Sequence, residues 1–291
     1  MITSKTKATK HFLLILVVLF FVFTPLACNI IFTPLTTISA DSLEVYFVDV
    51  GQGDCEIIRS DSKTMLIDSG TNAGARELVD TVRNMGITRF DIVIGTHPHE
   101  DHIGGLDTII TNFDIGSIYM PEASTNTKTF SDVLTAIRDN GLTVTSPAAG
   151  STFYLGDACC TVFAPNQQTY SDLNDFSIVI RLDYGETSFL FTGDAQSLSE
   201  QEMLAIGYNL EVDILKVGHH GSKTSTSPEF LEAVSPEYAV IEVGAGNDYG
   251  HPHQITLDNL TAANIKIFRT DNNGTITVKS DGDTFSITTE K

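Results

Sequence analysis

Seven of the eight histidines in this 291-residue chain fall into three short clusters, at 97–102, 219–220 and 251–253, while His11 stands apart. The densest cluster is Thr96-His97-Pro98-His99-Glu100-Asp101-His102, directly after the apolar run Ile92-Val93-Ile94. In an extended segment, side chains two residues apart share a face, so His97 and His99 can turn toward one ion. If the chain then enters a helix, Asp101 and His102 can meet a second ion close to the first. Imidazole nitrogen with carboxylate oxygen suits zinc and, less selectively, manganese or iron. Two such cations lower the pKa of a shared water to about 7, which makes a metal-bridging hydroxide available for hydrolysis at neutral pH. A set of surface residues that merely cap the next helix does not account for this ligand spacing.

Several other residues could serve the same chemistry. Asp194 ends the apolar run Ser188-Phe189-Leu190-Phe191 through Thr192-Gly193, where a carboxylate at a sheet's rim can bridge two cations; it can also cap a helix starting near Gln196. Asp68, after Met65-Leu66-Ile67, is placed to hold a ligand histidine by its second ring nitrogen, or to be a turn residue beside Gly70. Asp49 and Gly51-Gln52-Gly53 shape either the floor of a cleft or a hairpin turn, and Asp54 is a further candidate beside them. His251 and His253 follow the glycine-rich loop 244–250, and His251 reads as a substrate-facing acid or phosphate contact, the alternative being a solvated loop histidine. The hydroxyl-rich stretch Ser222-Lys223-Thr224-Ser225-Thr226-Ser227 suits phosphate oxygens, or is a flexible polar loop.

The H-x-H-x-D-H spacing resembles the signature of the metallo-β-lactamase superfamily. Within it, the mature chain is similar to the hydrolase domain of the competence DNA-uptake protein ComEC. Five further motifs carry this resemblance in order: Phe47-Val48-Asp49-Val50-Gly51-Gln52-Gly53-Asp54, Leu66-Ile67-Asp68-Ser69-Gly70, Phe191-Thr192-Gly193-Asp194, Leu215-Lys216-Val217-Gly218-His219-His220-Gly221-Ser222, and Tyr249-Gly250-His251-Pro252-His253. The resemblance implies an α/β fold, the αββα sandwich of two mixed sheets face to face with helices outside. It also implies two divalent metal ions, zinc with manganese as the alternative, in a cleft at one edge. His97 and His99 are then assigned to one metal position, Asp101 and His102 to the other, and Asp194 to both. One of the pair His219 and His220 supplies a further ligand, with His220 preferred and His219 facing the substrate; the reverse assignment stays open. Asp101, His219 and His251 are the expected catalytic residues, either histidine being able to protonate a leaving alkoxide. One departure stands out: no histidine lies between His102 and His219, and Asn174-Asp175-Phe176-Ser177 occupies the matching segment. The position of His97 and His99 is therefore expected to hold its ion more weakly, or to favour manganese.

The elements that must position these residues are legible as alternating runs. Residues 44–48, 64–67, 91–94, 177–182, 188–191, 212–217 and 238–241 read as strands, several apolar enough to be buried on both faces. Ala75, Leu78, Val79, Val82 and Met85 form one apolar stripe of a helix. The tail from Lys266 through Asn273-Gly274 to Thr288 reads as a hairpin about an Asn-Gly turn.

Composition sets further bounds. The first forty residues carry Lys5, Lys7 and Lys10, no acidic residue, and an unbroken apolar stretch from Phe12 to Phe23. They read as an export signal, cleaved after Ala40, or as an N-terminal lipid or membrane anchor, through Cys28 or through an uncleaved span reaching Phe32. Residues 41–291 are then one hydrolase domain outside the cytoplasm, secreted or held at the outer face of the membrane. That portion holds 14 of the 17 basic and all 37 acidic residues, a formal charge of −23. Such acidity opposes tight binding of duplex nucleic acid. The expected substrate is a phosphodiester or other small anion, single-stranded DNA among them; a phosphorylcholine ester, lactone or β-lactam, or a non-catalytic binding role, are the alternatives. Cys55, Cys159 and Cys160 form no disulfide framework and read as small core residues.

Overall fold

The structure, a computed structural model, describes residues 42–291, so the expected export signal or anchor at 1–40 lies outside the described residues. Among those described, no helix is long and apolar enough to cross a membrane.

In chain order the first half contains β1 (Leu43–Phe47), β2 (Glu56–Ser60), β3 (Lys63–Ile67), α1 (Ala75–Asn84), β4 (Arg89–Ile94), α2 (Glu100–Ile103), α3 (Leu106–Asn112), β5 (Asp114–Tyr119), α4 (Lys128–Asp139) and β6 (Val144–Thr145). The second half contains β7 (Thr152–Leu155), β8 (Ala158–Ala164), β9 (Val179–Tyr184), β10 (Thr187–Phe191), α5 (Ser197–Ile206), β11 (Ile214–Lys216), α6 (Pro228–Val234), β12 (Tyr238–Ile241), α7 (Gln254–Ala262), β13 (Lys266–Arg269), α8 (Thr270–Asn273), β14 (Ile276–Ser280) and β15 (Phe285–Thr289). They build two mixed sheets, β15-β14-β1-β2-β3-β4-β5-β6 and β13-β12-β11-β10-β9-β8-β7.

Alternation along the strands sorts the side chains into three apolar layers. Along β4, Ile92 and Ile94 face the other sheet and pack with Phe47, Met65, Ile180 and Phe191, while Val93 faces outward with Leu78 and Val82 of α1 and Ile109 of α3. The second sheet repeats the scheme, with Leu190, Leu215 and Ala239 packed on Met203 of α5, Val234 of α6 and Leu260 of α7. Helix–sheet–sheet–helix layering is thus the expected αββα sandwich. Cys55 and Cys160 are buried in it as free thiols, and Cys159 is half-buried.

The expected tail hairpin is not formed as read. Lys266–Arg269 joins the second sheet parallel to β12, and Asn273-Gly274 carries the chain across to the first sheet, where β14 pairs with β1 and with β15. The hairpin turn lies instead at 281–284, where Asp281 Oδ1 accepts from the Asp283 and Thr284 amides. Gly274 has φ 65° and ψ −152°, a conformation that leads the chain between sheets rather than back on itself.

Candidate metal centre

The sheets converge where their parallel strands end. Asp68 follows β3, Thr96 to His99 follow β4, Asp194 follows β10, His219 and His220 follow β11, and Glu242 follows β12. Carboxyl ends of parallel strands are where α/β folds form their clefts. Here the cleft has a volume of 640 Å³ and is lined by His99, Asp101, Asn174, Asp194, His219, His220 and His251 among others.

Local backbone brings the histidines in. His99 is extended and Glu100 opens α2, so the chain turns just where the second pair of donors is needed. His219 and His220 are consecutive residues in the left-handed region, at φ 50° and 53°, a conformation that costs non-glycine residues roughly 1–3 kcal/mol each and persists only when the surroundings hold it. The holding groups are visible: His219 N–H donates to Gly193 O, Ser222 N–H to His219 O, and Ser225 Oγ to Gly218 O. The hydroxyls of 222–227 therefore fasten the histidine turn. Thr224 Oγ1 lies 3.2 Å from His219 Nδ1 and 3.0 Å from Ser222 Oγ, so the stretch is not a free phosphate cradle.

Asp194 stands at the centre. Its Oδ1 lies 3.2 Å from His102 Nε2 and 3.6 Å from His220 Nε2, and His220 Nε2 lies 3.3 Å from Asp101 Oδ2. Its Oδ2 lies 3.9 Å from His97 Nε2 and 3.5 Å from His219 Nε2, and His97 Nε2 is 3.0 Å from His99 Nδ1. The two histidines between which the sequence left a choice thus both point at Asp194, one at each oxygen. Asp194 does not cap α5, whose N-cap is Gln196 with no side-chain capping bond.

The contacts at Asp194 Oδ1 are not ordinary hydrogen bonds. His102 Nε2, His220 Nε2 and Asp194 Oδ1 are buried without a hydrogen bond of acceptable geometry. Donors about 2.0–2.1 Å from a tetrahedral ion lie about 3.3 Å from each other, the spacing found here. The donor set fits a divalent cation of the zinc type, and Asp54, His102, Asp194 and His220 offer atoms all within 4.8 Å of one another.

Behind these atoms lies a layer that orients them. Asp68 Oδ2 is 2.7 Å from His102 Nδ1 and accepts from Thr96 Oγ1 at 2.6 Å, while its Oδ1 accepts from Thr96 N–H. His220 Nδ1 donates to Glu242 O at 2.9 Å and lies 3.1 Å from Asp54 Oδ1. Asp54 pairs with Lys216, fully buried, whose Nζ also donates to Gly193 O at 3.1 Å. Asp54 sits on the Nδ1 side of both imidazoles, 3.6 Å from His102 Nδ1, so it acts on their orientation rather than from the side of the convergent Nε2 atoms. The backbone before it is packed against Asp101: a Cβ on Gly53, whose φ is +133°, would stand 2.2 Å from Asp101 O.

The charges are out of balance. Burial disfavours the imidazolium forms of His102 and His220, yet Asp194 and Asp54 outweigh it, raising His102 well above its ordinary value and His220 to about 10. Burial pushes Asp194 up, but His102, His220 and His219 hold it well below the usual carboxylate range. Burial and then Glu242 drive Glu56 far up, and burial and then Asp54 take Glu242 to about 8. Asp54, Asp68, Asp101 and Asp194 thus outnumber the one ammonium among them, and the cluster draws in positive charge, here as protons on His102 and His220. Divalent ions fit that deficit.

His251 lies farther out, its ring 5.5 Å from that of His219 and 6.2 Å from that of His220. Burial first, then His220, His219 and His253, lower it to about 4, so at neutral pH it is uncharged and meets the cleft as a hydrogen-bonding group. His253 Nδ1 accepts from Lys223 N–H and takes no part in the cluster. Ser177 Oγ, 3.3 Å from His97 Nδ1, also accepts from Asp194 N–H, which places the 174–177 segment beside the His97 position. Sequence reasoning missed Lys216 and Glu242. Each is a lone charge inside an otherwise apolar strand sequence, Ile214-Leu215-Lys216-Val217 and Val240-Ile241-Glu242-Val243, and a charge there requires a buried partner.

Two mixed sheets with helices outside and a histidine–carboxylate cluster at their shared edge define a metal-dependent hydrolase fold. The chain belongs to the metallo-beta-lactamase superfamily, which it matches over residues 48–244. It is 32% identical over 251 residues to ComE operon protein 3 of Bacillus subtilis, covering 80% of this chain and 32% of that protein. It is 31% identical over 244 residues to Competence protein ComA of Neisseria gonorrhoeae, covering 78% of this chain and 31% of that protein. The chain thus spans about a third of the length of these relatives. Among solved structures it resembles the metallo-beta-lactamase fold protein YhfI of Bacillus subtilis, with a TM-score of 0.58 at 12% identity over 82% of this chain and all of that one.

Proposed function

We propose that this protein is an extracytoplasmic phosphodiesterase that uses two divalent ions, zinc or manganese, and acts on single-stranded nucleic acid or a comparably small phosphodiester. The observation that carries the reading is Asp194, whose two oxygens each face a separate set of imidazoles at the floor of an open cleft. Asp101, His102 and His220 hold one position and His97 and His99 the other, with Asp194 shared. His219 stands at the same carboxylate oxygen as His97 and adds a third imidazole there. When bound, the ions supply a water nucleophile at neutral pH and take up charge on the phosphate oxygens. Asp68 and Asp54 keep the ring nitrogens of His102 and His220 turned inward. His251, neutral, donates a hydrogen bond to a phosphate oxygen, and proximity of that anion favours its protonated form and proton delivery to the leaving alkoxide.

The competence relatives favour a nucleic-acid substrate, and the acidic lining of the cleft, which holds no Lys or Arg, favours a single strand or a small ester over duplex. Export rests on the composition of residues 1–40. The test is to supply zinc or manganese and assay bis-p-nitrophenyl phosphate, single-stranded DNA and a chromogenic β-lactam side by side, with Asp101→Ala as control. Phosphodiester turnover that the control lacks is expected. Turnover of the lactam alone would move the protein to carbon–nitrogen hydrolysis, and no turnover with metal bound would make it a binding protein.

A further inference from the structure

The cleft has an outer wall that the metal chemistry does not use. Tyr249 lies on the loop between Gly244 and His251 with 64% of its surface exposed, although it lines the cleft. Its ring is stacked on His251, centroids 5.6 Å apart and planes 22° from parallel. The loop that carries it is fastened: Asn247 Nδ2 donates to Gly244 O and His251 O, and Asn247 Oδ1 accepts from the Tyr249 and His251 amides. The ring is thus presented at a set place, with one face on His251 and the rest open. From it, one further ring step of 5.5 Å reaches His219, whose Nε2 is 3.5 Å from Asp194.

The remainder of the lining contains no Lys or Arg but does contain Glu100 and Asp248. Apart from the phosphate under attack, which the ions and His251 would hold, the phosphates of a nucleic acid meet no Lys or Arg here, the usual source of affinity. Stacking on an aromatic face is the other source, and it serves any base. We infer that Tyr249 is a stacking subsite for one planar base, the one attached to the sugar next to the phosphate under attack. The inference rests on the phosphodiesterase reading above, and it makes the enzyme a reader of one nucleotide rather than of a long strand.

The experiment compares two esters that release the same p-nitrophenol, thymidine 5′-(p-nitrophenyl phosphate) and methyl p-nitrophenyl phosphate, in the metal-supplied wild type, Tyr249→Ala and Tyr249→Phe. Loss of a stacked base is worth about 1–3 kcal/mol, so the ratio of kcat/KM for the nucleotide ester to that for the methyl ester should fall about 5- to 150-fold in Tyr249→Ala, mainly through KM, and be kept in Tyr249→Phe. A ratio unchanged by alanine, or lowered as much by phenylalanine, overturns the subsite. A choline phosphodiester that depends on Tyr249 as strongly as the nucleotide ester would also overturn it, by assigning the ring to a cationic headgroup. If the wild type hydrolyses neither ester, the phosphodiesterase reading fails and the subsite is judged by calorimetric binding of thymidine 5′-monophosphate. Binding weakened by Tyr249→Ala then upholds it, and binding that is absent or indifferent to the variant overturns it.

Discussion

The two halves of the cluster share Asp194 but are built differently. On the Oδ1 side, His102 and His220 are oriented through Nδ1 by carboxylates and a carbonyl at 2.7 to 3.1 Å, and the fully buried Lys216 backs them. On the Oδ2 side, His97 Nδ1 meets only the hydroxyls of Thr96 and Ser177 at 3.2 and 3.3 Å, and His219 Nδ1 only that of Thr224 at 3.2 Å. Charged partners raise the basicity of an imidazole and lock its tautomer, whereas hydroxyls do this weakly. On the two-ion reading proposed above, one position would be a fixed, tight site and the other a looser one facing the substrate.

The largest effect that bears on this contrast is loss of the shared group. Asp194→Asn should lower kcat/KM about a thousandfold or more, since several kcal/mol of charge stabilisation depend on the ions it holds. Metal analysis of the purified variant should find both positions weakened, and retention of one intact position would break the symmetry assigned to Asp194. Next, Lys216→Met should strand Asp54 as an uncompensated buried charge and destabilise the fold by about 3–5 kcal/mol in urea unfolding. A near-neutral result would mean that Asp54 is already neutral. Asp68→Asn should weaken the tighter ion about 10- to 100-fold in chelator competition while leaving the looser ion's affinity nearly unchanged. The smallest change is Ser177→Ala, which removes neutral hydrogen bonds to His97 Nδ1 and from Asp194 N–H, about 1 kcal/mol each; the first should weaken the looser ion by about fivefold, with a lesser effect on the tighter one through Asp194. Equal effects of the last two variants on both ions would abolish the distinction between the halves.

The convergence of the site residues was largely legible because they lie next to strand ends in a chain whose strands are strongly apolar. His97, His99, Asp101 and His102 announce themselves by spacing, and Asp194 by ending Phe189-Leu190-Phe191. The layering followed from the same runs. What resisted reading was long-range pairing. Nothing local tells Lys216 that its partner is Asp54, 162 positions earlier in the chain, and the left-handed turn at His219 and His220 depends on hydroxyls placed by a loop that looks merely polar. The Asn273-Gly274 dipeptide misled for the same reason: its turn chemistry is genuine, but sheet membership of Lys266–Arg269 is decided by β12. His219 and His220 could not be told apart because adjacent residues in a regular element diverge, whereas two left-handed residues in succession bring both rings to one carboxylate.

The pairing of Lys216 with Asp54 also bears on how the chain folds. The lysine ends β11 in the second sheet and the aspartate leads into β2 in the first, so each sheet on its own would expose an unmatched charge beside its apolar face. Neither half can reach its final packing before the other arrives, and contacts of such sequence separation form late. Docking of the sheets and neutralisation of the charge become a single event. Unfolding of residues 42–291 should then be one cooperative transition, with the metal-binding residues dispersing in the same step that parts the two sheets.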